Sequence, residues 1–368
     1  MVYCLFFFAM ETNTSSVKRL FNPSGWFLLG FLALILIVVA FTFLDAVAIL
    51  PLFLSSIVSA ILGYIVVPVL QKIKASQIIQ EDGPQSHLKK AGTPTMGGIF
   101  FIPTAVIIGL IMGRFTPEVI AVALVTLAYG FIGWVDDWQI LRKKTNMGLT
   151  PKQKLVLQIA FAVVFCFWMS ISQPDSITNV SLPFNIILPL SFLFWFVAIF
   201  VIVAESNATN LTDGVDGLAG GTGAIAFLGL GILTGVNHPD LLAFCLAISG
   251  GCLGFIVHNR NKASVFMGDT GSLALGAGLA AVGILSQNLW ALFIISLLFF
   301  IESLSVIAQV SYYKATKDQH GKGKRLFKMA PIHHHLELSG WTETQIVGAF
   351  YVINTILILL VLMKLKIY

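Results

Sequence analysis

Long apolar runs separated by short polar loops fill this chain, and apolar and polar positions do not alternate at the strand period of two. The runs lie at about 26–44, 46–70, 97–113, 119–135, 155–172, 184–204, 218–236, 241–257, 271–286, 289–313 and 346–363. Most approach the roughly 17–25 residues with which a helix crosses a bilayer. Continuous hydrophobicity of this length favours helices over a transmembrane barrel, whose strands alternate lipid-facing and lumen-facing residues. The run from Trp26 to Leu44 is long for the core of a signal peptide, and no convincing A-x-A cleavage site follows it, so it reads as a retained helix. The pattern predicts an all-α integral membrane protein, a polytopic helical bundle of about eleven transmembrane helices.

Composition sharpens that reading. The 368 residues are 57% hydrophobic and only 11% charged, and include 30 phenylalanines; the mean hydropathy is +0.90. A single soluble core does not bury that much apolar surface, whereas lipid hides it. The polar stretches are too short to fold by themselves, which predicts one membrane domain. Basic residues fall in the loops 71–96, 136–154, 258–270 and 314–345 and at Lys18 and Arg19, while the opposite face holds only Arg114, Lys364 and Lys366. By the positive-inside rule the rich loops and the N-terminus are cytoplasmic. The net charge of +5 is therefore topogenic, and no nucleic-acid partner is expected. Cys4, Cys166, Cys245 and Cys252 stand in apolar surroundings without metal-type spacing and read as packing residues.

Scarce charges make the placement of the acids informative. Asp136 and Asp137 close one apolar run, and adjacent helical residues point about 100° apart, so the two carboxylates can serve different partners. Asp213 and Asp216 lie in Asn210-Leu-Thr-Asp-Gly-Val-Asp-Gly217, where a helical turn would set them on one face. Asp269 follows Phe266-Met-Gly and precedes an apolar run, in the place of a helix cap or of a magnesium ligand. His333, His334 and His335 lack the spacing of a helical zinc site; one or two suit phosphate oxygens and the rest packing. Lys89-Lys90 and Gly92-Thr-Pro-Thr-Met-Gly-Gly98 form a basic, glycine-rich helix entry that is not a Walker A loop. Glu302, inside the run 289–313, is the most deeply placed acid and has no role assignable from sequence. All the acid clusters and the histidines fall on the predicted cytoplasmic face. Clustering at one face, with no internal repeat, argues against a cation-coupled transporter, which places its acids near the bilayer midplane.

Five motifs occur in order: Gly92-Thr-Pro-Thr-Met-Gly-Gly98, Gly133-Trp-Val-Asp-Asp137, the stretch from Asn207 to Ala219, Phe266-Met-Gly-Asp269, and Ala330-Pro-Ile-His-His-His-Leu-Glu337. With them the chain resembles the phospho-N-acetylmuramoyl-pentapeptide transferase family of the polyprenyl-phosphate sugar-1-phosphate transferase superfamily. The likeness covers about residues 46–368. The histidine segment favours this family over sister transferases of N-acetylglucosamine-1-phosphate. The resemblance implies a ten-helix core, a cleft on the cytoplasmic face of the bacterial plasma membrane, Mg²⁺ and a homodimer. It implies UDP-N-acetylmuramoyl-pentapeptide and undecaprenyl phosphate as substrates, with lipid I and UMP as products. Asp269 then corresponds to the metal ligand, and Asp136 and Asp137 to groups that abstract a proton or orient the lipid phosphate. Lys90, Asp213, Asn259 and Phe266 match uridine-pocket positions, and Lys154, Asn210 and Asp216 match polar cleft positions. Two features depart from the pattern. Residues 1–45 add a span to the ten-helix core, and Lys262 stands where the family usually has Pro.

Overall fold

The computed structural model describes residues 24–73, 92–143, 148–183 and 186–363. Each predicted apolar run contains a helix. Among the described residues eight helices are long and apolar enough to cross a membrane: α1 (Gly25–Phe43), α2 (Leu50–Lys72), α4 (Pro117–Lys143), α5 (Pro151–Ser172), α6 (Leu193–Thr212), α8 (Pro239–Asn259), α9 (Gly268–Leu285) and α13 (Glu343–Leu362). Two shorter apolar helices, α3 (Gly98–Met112) and α7 (Leu218–Thr234), complete the bundle with a bent pair, α10 (Leu289–Ile295) and α11 (Leu297–Ala315). A short helix, α12 (Ile332–Leu338), carries the histidines. The chain is an all-α polytopic membrane protein.

Burial sorts the helices into an inner and an outer set. In α8 and α9, 89% of the apolar window is enclosed by protein, against 28% in α2 and α5. The outer helices turn apolar side chains such as Ile57, Ile61, Val164 and Phe167 outward. In water such a surface would be a liability; in lipid it is the solvated face.

Three element boundaries differ from the sequence expectation. Helix α4 continues two turns past the end of its apolar run, to Lys143, so Asp136 and Asp137 are interior helical residues rather than terminal ones. Helix α6 starts at Leu193 instead of 184, because the antiparallel hairpin β1 (Asn179–Ser181) and β2 (Ile187–Pro189) takes the first part of that run. Pro189 has no N–H to give a helix interior, so the helix starts beyond it. The expected single run 289–313 is broken at Ser296, where α10 and α11 meet at 70°. No Pro or Gly marks this break, which is why the hydrophobic pattern passes through it unchanged.

Candidate active site

A close crossing of two helices creates the site. At Gly133 of α4 an added Cβ would lie 2.1 Å from the carbonyl oxygen of Asp269, the second residue of α9. Only glycine lets the backbones approach this far. One turn further along α4, Asp136 and Asp137 therefore meet the start of α9.

The two acids have separate partners, as their angular offset allows. Asp137 is buried and serves the helix terminus. Its Oδ2 accepts from the Thr270 amide at 3.1 Å and the Thr270 hydroxyl at 2.6 Å, and its Oδ1 from the Asp269 amide at 3.4 Å. Met267, at the N-cap of α9, offers no side-chain cap. The first N–H groups of a helix have no intrahelical acceptor, so the Asp137 carboxyl oxygens cap α9 from another helix. Gly268, at φ +72°, makes the turn; a Cβ there would come within 2.5 Å of Asp137 Oδ2.

Asp136 faces the other way. Its Oδ1 accepts from the Leu149 amide at 2.7 Å. Leu149 precedes the α5 N-cap, Thr150, whose capping box with Gln153 fixes the first turn of that helix. Lys154 is next in line. Its Nζ donates to Asp269 Oδ2 at 2.5 Å and lies 3.4 Å from Asp136 Oδ2, so one ammonium bridges two carboxylates. Asn210 of α6 completes the set: its Nδ2 donates to Asp269 Oδ1 at 2.8 Å and to Ser272 Oγ at 2.9 Å. Four helices thus converge on Asp269, whose side chain keeps 23% of its surface accessible.

Asp213 and Asp216 lie in the turn between α6 and α7, not on a helical face as the three-residue spacing had suggested. The Asp213 carboxyl is held well above the usual carboxylate range, by burial first and then by the negative charges of Asp269, Asp137 and Asp216. Asp216 Oδ2 accepts from the Ala263 amide at 3.0 Å, tying down the loop 260–267. Asn259 is buried with both ends of its amide engaged: Oδ1 accepts from the Gly217 amide at 2.9 Å and Nδ2 donates to the Val265 carbonyl at 2.8 Å. In this structure Asn259 and Asp216 hold the loop 260–267 through hydrogen bonds within the protein. Phe266 keeps part of its ring accessible. Its amide donates to Pro94 O at 2.7 Å, and its carbonyl accepts from Gly97 N at 2.8 Å, joining the motif at 92–98 to the motif at 266–269. Lys90 lies outside the described residues.

The three histidines have three environments. His333 is fully buried, with Nδ1 3.1 Å from Oε2 of Glu302 on α11. A Cβ on Gly214 would lie 2.2 Å from His333 Nε2, so His333 wedges between α11 and the acidic turn. That geometry gives Glu302 the partner the sequence left unnamed. His334 Nδ1 is 2.7 Å from Glu337 Oε2. His335 Nδ1 accepts from the Lys328 amide at 3.1 Å, and burial, then Lys328, holds its pKa below the ordinary value, which keeps the ring neutral. Sequence reading also passed over Thr270 and Ser272, which hold Asp137 and Asn210. Their sole signal was position, in the first turn of a helix beginning Gly-Asp-Thr-Gly-Ser.

The donor set consists of hard oxygens, and a cation, the Lys154 ammonium, lies between two of them. Among the described residues no group of three or more His, Cys, Asp or Glu side chains stands together in metal-binding geometry. A metal ion such as magnesium, which typically takes one or two carboxylates and completes its shell with water and phosphate oxygens, fits a site of this kind.

Fold and site together define a multi-pass helical membrane protein with a partly accessible cluster of acids where four of its helices meet. Residues 119–287 match the profile of Glycosyl transferase family 4, and residues 90–102 match phospho-N-acetylmuramoyl-pentapeptide-transferase signature 1. Over 353 residues the chain is 65% identical to a phospho-N-acetylmuramoyl-pentapeptide-transferase of Rippkaea orientalis, covering 94% of this chain and 97% of that protein. Identity is 62% to the protein of the same name from Gloeothece citriformis, over 94% of this chain and 97% of that one, and 62% to that of Microcystis aeruginosa, over 95% and 99%. The chain belongs to the phospho-N-acetylmuramoyl-pentapeptide-transferase family, and is a phosphotransferase. Coverage of 94% leaves about 22 of the 368 residues outside the match with the Rippkaea protein, so the shared stretch takes in α1.

Proposed function

We propose that the protein transfers phospho-N-acetylmuramoyl-pentapeptide from its UDP carrier to undecaprenyl phosphate, with Mg²⁺, giving lipid I and UMP for peptidoglycan synthesis. The site works on the cytoplasmic face of the bacterial plasma membrane, the side to which the basic loops point. The observation that carries this reading is Lys154 held between Asp136 and Asp269 in a partly accessible acid cluster. The names of the relatives supply the substrate class.

The reaction brings two anions together. An oxygen of the lipid phosphate attacks the phosphorus that bears the sugar. The bond from that phosphorus to the UMP oxygen breaks, a pyrophosphate now links lipid and sugar, and UMP leaves with the electron pair. Repulsion is the main obstacle, so positioning and charge neutralisation do most of the catalytic work. Lys154 has three donors, of which the two carboxylates take two, and stands ready to neutralise phosphate oxygens. A phosphate monoester has a second pKa near ~6 and is largely dianionic at neutral pH. Asp136 therefore orients the nucleophile and takes any remaining proton, while Asp137 holds α9 and hence Asp269 in place. Asp269, the partly accessible carboxylate of the set, would hold magnesium, which would neutralise charge on the diphosphate oxygens.

The test is UMP release by purified protein from UDP-N-acetylmuramoyl-pentapeptide and from UDP-N-acetylglucosamine, with and without Mg²⁺ and undecaprenyl phosphate. Release confined to the muramoyl donor and dependent on both additions is expected. Release from the acetylglucosamine donor instead would assign the chain to the sister activity. Exchange of labelled UMP into the donor without lipid acceptor would replace direct attack with a covalent phospho-enzyme.

A further inference from the structure

The N-terminal span touches the loop 260–267, which leads into the Phe266–Asp269 motif. Helix α1 begins at Gly25, where an added Cβ would lie 2.0 Å from the Asn261 carbonyl oxygen and 3.0 Å from its amide nitrogen. The next residue, Trp26, lies under Arg260, with the guanidinium carbon 3.5 Å from the ring centroid. Ser24 caps the helix by accepting from the Phe27 amide at 3.1 Å, which fixes the direction of this first turn. The same loop is held from its other side: Asp216 Oδ2 accepts from the Ala263 amide, and Asn261 Nδ2 donates to Glu343 Oε2 at 3.1 Å at the start of α13. It then runs on through Val265, bonded to Asn259, to Phe266, bonded to Pro94 and Gly97.

We propose that α1 is a positioning element for the loop 260–267: Gly25 and Trp26 clamp Arg260 and Asn261, and so fix Phe266, Asn259 and Asp216, the residues that match uridine-pocket and cleft positions of the family. This rests on the proposed function for the identity of the ligand. Two physical facts favour it. Trp26 is 63% exposed in the isolated chain, which suits an indole at the headgroup level of a membrane. A span anchored there keeps its end at a fixed depth. A guanidinium stacked on an indole is also attracted by the ring quadrupole as well as packed against it. Arg260 is thereby tied to a helix outside the ten-helix core, while Asn259 and Asn261 on either side of it bond to Gly217, Val265 and Glu343.

Full-length protein in lipid nanodiscs, with the variants Trp26→Ala, Trp26→Phe, Arg260→Ala and the Trp26→Ala/Arg260→Ala pair, decides the matter. Each alanine variant is expected to raise the KM for UDP-N-acetylmuramoyl-pentapeptide about two- to thirtyfold, the span that a cation–π contact covers. KM for undecaprenyl phosphate and kcat should hold within about twofold, and Trp26→Phe should restore most of the loss. The double variant should lose no more than the worse single one, because both remove the same contact. An unchanged donor KM, or a double loss equal to the product of the two single losses, overturns the proposal. Amide exchange at Ala263, Ser264 and Phe266 gives a readout without substrate: faster exchange in Trp26→Ala supports the clamp, and unchanged exchange sinks it. Wild-type protein inactive on the muramoyl donor would refute the functional reading alone and leave the exchange result to judge the clamp.

Discussion

Asp136 and Asp137 are neighbours in sequence with different work, and substitutions should separate them. Asp137 satisfies amides at the start of α9, so Asp137→Ala should cost about 1–2 kcal/mol, the scale of a lost N-cap, visible as a lower melting temperature. Asp136→Asn should leave melting almost unchanged and lower kcat. Asp269→Asn should cut turnover by about a thousandfold while the protein still inserts and folds; near wild-type turnover would remove Asp269 from its proposed role. The buried pair of Glu302 and His333 makes a different prediction. His333→Ala leaves the Glu302 carboxyl group in the bundle without the imidazole beside it and should cost about 1–3 kcal/mol. Glu302→Gln keeps a polar group of the same size and should cost less. Thermal unfolding of both variants in one detergent compares them.

At the scale of elements, the crossing of α4 and α9 sets the distance between the acids. Gly133→Ala should force the Asp269 backbone away, since the new methyl would meet its carbonyl oxygen at 2.1 Å. Activity should then fall at least about a hundredfold, because small misplacements of catalytic groups are costly, and added Mg²⁺ should not rescue it. The contrast between α4 and α11 shows what patterns can and cannot report. The apolar run of α4 ends near Asp136, yet the helix continues, because hydrogen bonding does not stop where hydrophobicity does. The run across α10 and α11 stays apolar, yet the backbone turns by 70°. Hydropathy reports what a segment is dissolved in, and backbone direction follows from what it packs against.

The whole molecule gathers like charges, and its stability should respond to pH. The Asp213 carboxyl lies above its ordinary range through burial and the neighbouring carboxylates. The folded state therefore keeps this proton at pH values where the unfolded chain, with a carboxylate pKa of about 3.9, has lost it. Stability from this group is fully present below that unfolded value and is lost as pH rises through the folded pKa. With chelator present, Asp213→Asn should melt with the wild type near pH 4 and progressively above it as pH rises. Coincident melting curves from pH 4 to 8 would contradict the assignment. The contact of Gly25 with Asn261 places the start of α1 at the acid-bearing face. A cysteine replacing Ser15 should accordingly be labelled from the cytoplasmic side alone.

Sequence by itself determined the apolar runs that become helices, the face on which basic loops collect, and the motifs that mark the family. These are local properties, since each run carries its own transfer free energy into lipid and each loop its own charge. Tertiary structure decided which acid caps a helix, which faces the cleft, that Lys154 bridges Asp136 and Asp269, that Glu302 belongs to His333, and that Trp26 reaches Arg260. A carboxylate's partner depends on how helices distant in sequence cross, and a glycine against a backbone carbonyl sets that crossing without leaving a periodic signal in the sequence.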